Sequence, residues 1–364
     1  MRHGTSKQSP WVARSLGRTI MASCRSQHSH ALQPLHYREL LRKEHLADIV
    51  AYLKGSQRYA PYLANLSERE FDRATLKAQL HQSLLATYIR AYRYDSNPHS
   101  FYRWPLMELE VELLAQFMDV LSRGATHVSC RFGLLHRDDL QFYLLLNLRR
   151  LRGVDSAPKL REQLAGSPYA KVLEPFLRPN LPQLPHLEAE AALRRFFAQT
   201  TLQSIAQLPV AADRHQLHVF FSRYLELGNC LNLFRMKGFP GYDADRVRRL
   251  LDFVPSAYLK ERDWQKLVAV PDQPGFLGLF GNTSLGRMMS DEESSPLLGS
   301  WLGLAGARLL YRQSQQMLRL VAEGPSTYMA HVMLFRQEVQ NLVSIIEGNH
   351  YRLPPEHTAS LLVY

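Results

Sequence analysis

The stretch Leu53–Leu63 reads LKGSQRYAPYL, and Leu164–Leu173 reads LAGSPYAKVL, which is the same string with one residue removed. A weaker copy, Leu279–Met289, reads LFGNTSLGRMM. The central glycines of the copies lie 111 and 115 residues apart, at Gly55, Gly166 and Gly281. A recurrence at a nearly constant spacing indicates a repeated structural unit. The sequence therefore predicts three copies of a unit of about 111–115 residues.

We interpret each copy as a helix that ends at the glycine. A glycine just beyond a helix adopts the left-handed conformation without steric cost, so it is the common residue there. Tyr59 and Tyr169 follow in the first two copies, and we expect each ring to pack back into the helices. The third copy has Leu285 at that position.

Most of the remaining chain has the apolar periodicity of amphipathic helices, and alternating strand patterns are scarce. Glycine and proline cluster between the helical runs, for example at 175–185, 239–242 and 271–286. We interpret the glycine-rich stretch Phe276–Gly286 as a loop. The fold class is all-α. The predicted helical runs are Leu40–Tyr52, Ala74–Tyr94, Leu106–Leu121, Glu188–Leu208, His215–Met236, Ala244–Leu251, Leu297–Ala322 and Met329–Ile346.

A second motif closes the repeats. Leu231–Gly238 reads LNLFRMKG, and the spacing of the repeat pairs it with Glu338–Gly348, EVQNLVSIIEG. Asn232 then takes the role of Asn341, and Glu110 stands at the corresponding place in the first repeat. The more similar string LNLRRLRG, at 146–153, is out of phase with this frame and is interpreted as a chance match.

These polar residues lie in apolar surroundings, where an unsatisfied amide costs on the order of 1–3 kcal/mol. Asn232 and Asn341 are therefore expected to bond the backbone of a neighbouring helix or a serine of the repeated glycine motif, and direct contact with a partner protein is the alternative. Glu338 lies one helical turn before Asn341. Arg235 precedes Gly238 in the last turn, where a cation favours the negative end of the helix.

Several classes of function find no support in the sequence. No segment has 18 uncharged apolar residues, so a transmembrane helix is not expected. Cys24, Cys130 and Cys230 are few and far apart, which favours a reducing compartment over a disulfide framework. The loosely spaced His127, Cys130 and His136, and the pair His215 and His218, do not match a zinc pattern. Phosphate-binding loops and catalytic triads are not recognisable, so no catalytic residue, metal or cofactor is predicted.

The net charge of +11 raises the alternative of a helical protein that binds nucleic acid. Residues 1–38 hold six basic residues and no acid, which leaves only +5 for the other 326 residues. We interpret 1–38 as a basic tail, either disordered, a targeting segment or a product of start-site choice, since Met21 offers an internal start. Residues 131–152 and 237–249 are the modest candidates for a basic stripe.

The terminal motif resembles the C subunit of archaeal and bacterial V/A-type ATPases, which is related to eukaryotic V-ATPase subunit d. That family repeats a helical unit three times and ends on a motif similar to Phe335–Ile345, FRQEVQNLVSI, followed by Gly348 and the LPPE of 353–356. Acidic residues that begin helices also match, at Glu188 and Glu190 and at Asp291–Glu293. The resemblance covers about residues 38–364. Asn229, where an acid is usual, and Glu110, where Asn is usual, depart from it.

The resemblance implies three similar helical-bundle units arranged as a pseudo-threefold funnel, at 39–125, 126–238 and 239–364. It implies a non-catalytic central-stalk subunit that couples the shaft of the ATPase head to the membrane rotor ring for H⁺ or Na⁺ transport. The partners would be the shaft subunits and the rotor ring, with no nucleic acid. The protein would lie peripherally on the cytoplasmic face of the membrane, in contact with its surface only.

Overall fold

The chain folds into α-helices, as a computed structural model shows. It describes residues 10–66, 72–95, 97–124, 135, 137–178, 184–239, 242–251, 258–290, 299–320 and 324–364. No strand occurs in these ranges, so the predicted all-α class is confirmed. The helices are α1 (Pro10–His28), α2 (Pro34–Leu41), α3 (Leu46–Lys54), α4 (Ala60–Leu63), α5 (Arg73–Tyr94), α6 (Trp104–Ser122), α7 (Leu148–Leu151), α8 (Ala157–Gln163), α9 (Pro168–Leu173), α10 (His186–Ala206), α11 (Ala211–Met236), α12 (Ala244–Leu250), α13 (Glu261–Ala269), α14 (Gln273–Gly281), α15 (Ser284–Ser290), α16 (Gly299–Leu320), α17 (Gly324–His350) and α18 (Pro355–Ser360).

The chain divides into two compact units, each assembled from separate stretches of sequence. Unit 1 contains Met1–Tyr102, Ser204–His218 and Leu310–Tyr364. Unit 2 contains Arg103–Gln203 and Val219–Leu309. The three contiguous segments expected from the sequence repeat, and their pseudo-threefold arrangement, remain predictions.

Unit 1 is built around α17, which is buried along most of its length. Helices α1, α2, α3, α5 and α18 all contact it. At its first residue α17 approaches α1 closely, because a Cβ atom on Gly324 would lie 2.3 Å from the carbonyl oxygen of Gly17. Glycine at position 324 therefore lets the two backbones come together, whereas a Cβ atom on Gly17 would make an ordinary contact at 3.7 Å.

Within the N-terminal segment 1–38, helix α1 corrects the interpretation of Pro10–His28 as part of a disordered tail. Ile20 and Cys24 lie on its buried face, exposed by 1% and 3%. Apolar residues spaced by four on one helix face bury together, which is why a segment rich in arginine and serine folds here. Met21 lies inside this helix.

Unit 2 has an aromatic core. The ring of Phe221 on α11 packs edge-on against Trp104 of α6 and Phe197 of α10, at centroid distances of 6.3 and 5.7 Å. Phe276 and Phe280 of α14 stack on each other at 5.5 Å, and both are fully buried. Such pairs add to the free energy gained by burial of the rings.

The expected loop at 276–286 is wrong, because this stretch forms the end of α14 and the start of α15. Asp272 caps α14 by accepting a hydrogen bond from the Gly275 amide at 2.9 Å. Burial of Phe276 and Phe280 then stabilises a helix whose three glycines disfavour it. Tertiary packing thus overrides the weak helix propensity.

Two other local predictions are corrected. The run Leu40–Tyr52 is not one helix. Helix α2 ends at Leu41, and α3 begins at Leu46 after an N-cap residue, His45, with an extended backbone. Of the three repeat glycines, only Gly166 has the left-handed conformation, with φ of +83°. Gly55 stays right-handed, and its amide donates to the Tyr52 carbonyl at 3.1 Å. Gly281 is the last residue of α14 itself.

Candidate functional site

A buried glutamate on α17 is the centre of unit 1. The Tyr59 hydroxyl donates to Oε1 of Glu338 at 2.6 Å, and the Leu32 amide donates to Oε2 at 3.1 Å. The Arg58 guanidinium forms an ion pair with the same carboxylate at 3.2 Å. Glu338 is 5% exposed and Tyr59 is fully buried. The carboxylate therefore joins α17 to the segment that runs from α1 through α4.

Unit 2 contains a second centre of the same kind, at Glu110 of α6. The Tyr169 hydroxyl donates to Oε2 of Glu110 at 2.8 Å, and the Leu146 amide donates to Oε1 at 2.9 Å. The Leu145 amide also donates to Oε1. Arg103 forms a buried ion pair with this carboxylate. One tyrosine, one arginine and backbone amides again surround a buried carboxylate.

A third centre, at Glu226, also lies in unit 2. The Leu259 amide donates to Oε1 of Glu226 on α11 at 2.8 Å, and the Tyr258 amide donates to Oε2 at 3.2 Å. The guanidinium of Arg223 lies 4.0 Å from the centroid of the Tyr258 ring. Leu285, which stands in place of the tyrosine, is fully buried and has no hydroxyl to donate.

Burial dominates the electrostatics of these centres. It raises the pKa of the Glu338 carboxyl, while Arg58 and the Tyr59 hydroxyl oppose that change. Burial and the adjacent carboxylates also raise the pKa values of Tyr59 and Tyr169 well above 10.0. Burial lowers the pKa of Arg223 to about 10, and Glu226 opposes the shift. The carboxylates are enclosed and hydrogen-bonded, so they suit the positioning of chain segments rather than proton transfer to a substrate.

The three centres correct the register deduced from the sequence. Glu110, Glu226 and Glu338 lie 116 and 112 residues apart and occupy equivalent places. Asn229 follows Glu226 by three residues, as Asn341 follows Glu338. The equivalent of Asn341 is thus Asn229, and Asn232 lies one turn further along α11. Glu110 corresponds to Glu338 and not to an asparagine.

Sequence reasoning named Glu110, Glu338, Tyr59 and Tyr169, and the structure brings these into two centres. It missed the glutamate of the third centre and the arginines of all of them. The near-equal spacing of the glutamates is a signal that could have found Glu226. The arginines give no such signal, because Arg58 precedes the tyrosine whereas Arg103 precedes the glutamate by seven residues.

The two asparagines have different surroundings. Asn341 is buried, its Nδ2 donates to the Val363 carbonyl at 2.7 Å, and its Oδ1 accepts from the Val363 amide at 3.0 Å. Asn341 therefore fixes the chain segment around Val363 to α17, which agrees with the expectation that this asparagine bonds neighbouring backbone. Asn232 is only half-buried and lines a surface groove of unit 2 together with Arg235.

The residues considered for metal binding give little further information. His127, Cys130 and His136 lie outside the described residues. The acidic residues Asp291–Glu293, named above for the family resemblance, also lie outside them. In the described ranges, no three side chains of the ligating types come together as a metal site would require. A bilayer-spanning helix, long and apolar enough for that purpose, is also not found in the same ranges.

The candidate basic stripe at 131–152 is partly neutralised by carboxylates. Arg149 and Arg152 both form ion pairs with Asp138, at 3.2 and 2.5 Å. Arg137 pairs with Asp139 at 2.7 Å. A nucleic-acid surface needs cations that are available to phosphates, so these contacts weigh against the alternative function.

Comparison with known proteins adds one positive result. The sequence model of the family described as ATP synthase (C/AC39) subunit matches residues 20–361 of the chain. The match includes all three glutamate centres and begins inside α1. No curated protein matches the chain significantly.

Proposed function

Because the chain belongs to the ATP synthase (C/AC39) subunit family, we propose that it is a non-catalytic central-stalk subunit of a rotary V/A-type ATPase. It would connect the shaft of the ATP-hydrolysing or ATP-synthesising head to the rotor ring in the membrane. Its task would be to transmit torque between ATP turnover and the movement of H⁺ or Na⁺. The family match over residues 20–361, nearly the whole chain, carries this proposal.

The glutamate centres support a mechanical task. Each carboxylate fixes a stretch of backbone to a long helix through hydrogen bonds, which are buried at Leu146 and Leu259 and partly buried at Leu32. Buried, fully partnered carboxylates resist local opening, because any separation exposes a charge to an apolar interior. A subunit that transmits torque requires such stiffness.

We further propose that the three centres mark three similar units around a pseudo-threefold axis. Such an arrangement would form a socket, one end of which receives the shaft while the other rests on the rotor ring. The spacing of 116 and 112 residues between the glutamates supports three units. The subunit would then lie peripherally on the cytoplasmic face of the membrane.

The test is to delete the gene and to follow the rotary complex. Membrane vesicles from the deletion strain should lose ATP-driven ion transport, while detached heads should still hydrolyse ATP. A tagged copy that restores transport should co-purify with head and ring subunits. Transport at the normal rate without this chain, or a tagged chain that purifies alone from cells containing the complex, would contradict the proposal.

A further inference from the structure

A groove on unit 2 lies between the start of α10 and the end of α11. Its apolar wall includes Leu187, Ala191, Met236 and Leu250, and Phe239 and Tyr242 stand at its edge. The Phe239 side chain is 66% exposed, which is costly for an aromatic ring in water. The groove is also the place where Asn232 and Arg235, from the sequence motif LNLFRMKG, reach the surface.

Arginines dominate the charge around this groove. Its lining carboxylate, Glu190, is already paired with Arg194 at 2.5 Å, and the nearby Glu188 faces Arg246 at 3.9 Å. Arg235 lines the groove, is exposed, and forms no ion pair with any residue that the structure describes.

Two more arginines, Arg195 and Arg249, adjoin the lining residues Arg194 and Leu250 in the sequence, and together with Arg235 they form what we call the arginine rim. The guanidinium of Arg195 donates to the carbonyl of Arg249 at 3.3 Å, and both side chains are exposed. Arg249 directly precedes the lining residue Leu250. Glu188 and Glu190 of α10 are thus engaged, while the side chains of Arg195, Arg235 and Arg249 are exposed to solvent.

The size of the groove restricts what can occupy it. Its volume is about 200 Å³, below the roughly 300–1,000 Å³ of pockets that enclose a cofactor or other small ligand. It is suited to one large apolar side chain of another protein. Interface anchors of this kind commonly insert into small apolar pockets, with arginine among the residues that contribute most to binding.

From these observations we infer that the groove binds a segment of a partner protein that inserts one large apolar side chain and places carboxylates against the arginine rim. The apolar wall receives the side chain, Arg235 and Arg195 bind the carboxylates, and the half-buried Asn232 amide is available to the partner's backbone. Arginine pairs with carboxylates through two parallel hydrogen bonds, which fixes the orientation of the segment. This inference rests on the proposed function, in that the partner belongs to the same rotary complex.

Site-directed photo-cross-linking in the assembled complex tests the inference. Phe239 is replaced by p-benzoylphenylalanine, and the complex is purified, irradiated and digested. Phe142, also in unit 2 and 89% exposed, is the matched control position. We expect position 239 to cross-link to one segment of a complex subunit in which carboxylates flank a large apolar residue, and position 142 not to reach that segment.

A charge reversal then tests the arginine rim. Arg235→Glu should reduce the cross-link from position 239 by about tenfold, as expected for an interface arginine of average importance. Arg262→Glu, an equal charge change at a side chain that is 72% exposed and away from the groove, should leave the yield unchanged.

Other outcomes overturn the inference. A complex that assembles and transports ions but gives no cross-link at position 239, or a cross-link only to lipid, nucleic acid or a second copy of this chain, excludes the groove as the docking site and leaves the proposed function intact. An equal yield with Arg235→Glu has the same meaning. A chain that never joins the complex overturns both proposals.

Discussion

The centres at Glu338 and Glu110 perform the same task with differently placed residues. In both, a buried tyrosine and a backbone amide bind the carboxylate, and one arginine balances its charge. In unit 1 that arginine is Arg58, next to the tyrosine, whereas in unit 2 Arg103 lies seven residues before the glutamate. Each carboxylate is therefore balanced by one arginine, but the arginine comes from a different position in the sequence of each centre.

The position of Arg103 has a different occupant in unit 1. His331 lies seven residues before Glu338, is 1% exposed, and neither ring nitrogen has a hydrogen-bond partner among the described residues. Its ring packs against His28 and Phe335. A second cation beside Arg58 would meet like charge in an apolar interior, which is a physical reason for a neutral ring at this place.

The largest expected effect comes from removing a central carboxylate. Glu338→Gln and Glu110→Gln should each lower the free energy of unfolding by about 3–5 kcal/mol, because each leaves a buried arginine without its counter-ion. Urea unfolding of the full chain measures the loss. Glu347→Gln is the control, since that carboxylate pairs with Arg73 and Lys77 near the surface and should cost at most about 1 kcal/mol.

A loss below that of the surface control at either centre would mean that the two ion pairs are not equivalent. A similar loss at both would support the view that the two arginines, in spite of their different positions, serve one purpose.

The tyrosines should have the next largest effect. Tyr59→Phe and Tyr169→Phe each remove a hydroxyl that donates to a buried carboxylate, at 2.6 and 2.8 Å. Hydrogen bonds to charged groups contribute about 1.5–3 kcal/mol, so we expect losses of that size by urea unfolding. Leu285→Met, at the equivalent position of the third centre, should cost less than about 1.5 kcal/mol because volume is conserved. Equal losses at all three positions would show that packing, and not the hydroxyl, determines the effect.

His331 should make unit 1 sensitive to acid. Burial and the nearby Arg58 hold its pKa well below 6.5, so the folded state keeps the ring neutral while the unfolded chain binds a proton below that pH. This stabilising contribution is therefore complete above pH 6.5 and is lost as pH falls, by up to about 1.4 kcal/mol per pH unit. The measurement is the free energy of unfolding between pH 7 and about 5.5.

His331→Leu removes the titrating ring and should flatten this pH dependence relative to the unchanged chain. His99→Leu, the same substitution at an exposed side chain, is the matched control. Should the slope persist in His331→Leu, another group such as His28, whose pKa is also lowered by burial, would be its source.

The sequence predicted what depends on local pattern. Long helices with a clear period, such as α5 and α6, appear within a few residues of the expected bounds. The buried tyrosines were found by their recurrence and Glu338 by its place in the terminal motif, whereas Glu110 was assigned to the position of an asparagine. The sequence did not predict α1, whose apolar face is narrow, or α14, where burial of Phe280 outweighs the glycines.

The charge partners could not be predicted for a different reason. Arg58 reaches a carboxylate 280 residues away in the chain, and nothing in the local sequence indicates that contact. The surface groove was also not predictable, because Arg235 has a sufficient explanation as a residue in the last turn of α11. Long-range contacts of single side chains require the fold before they can be recognised.

The smallest expected effect concerns the glycine-rich helix α14. A Cβ atom on Gly278 meets nothing within 4 Å, so Gly278→Ala should raise the free energy of unfolding by about 0.5–1 kcal/mol through improved helix propensity. Gly275→Ala is the matched control in the same helix. Its Cβ atom would lie 2.6 Å from Cγ1 of Val270, and this clash should cancel the stability gained from improved helix propensity. Thermal unfolding of the two variants measures the difference. If Gly278→Ala also destabilised the chain, α14 would depend on glycine for its backbone and not only on the burial of its two phenylalanines.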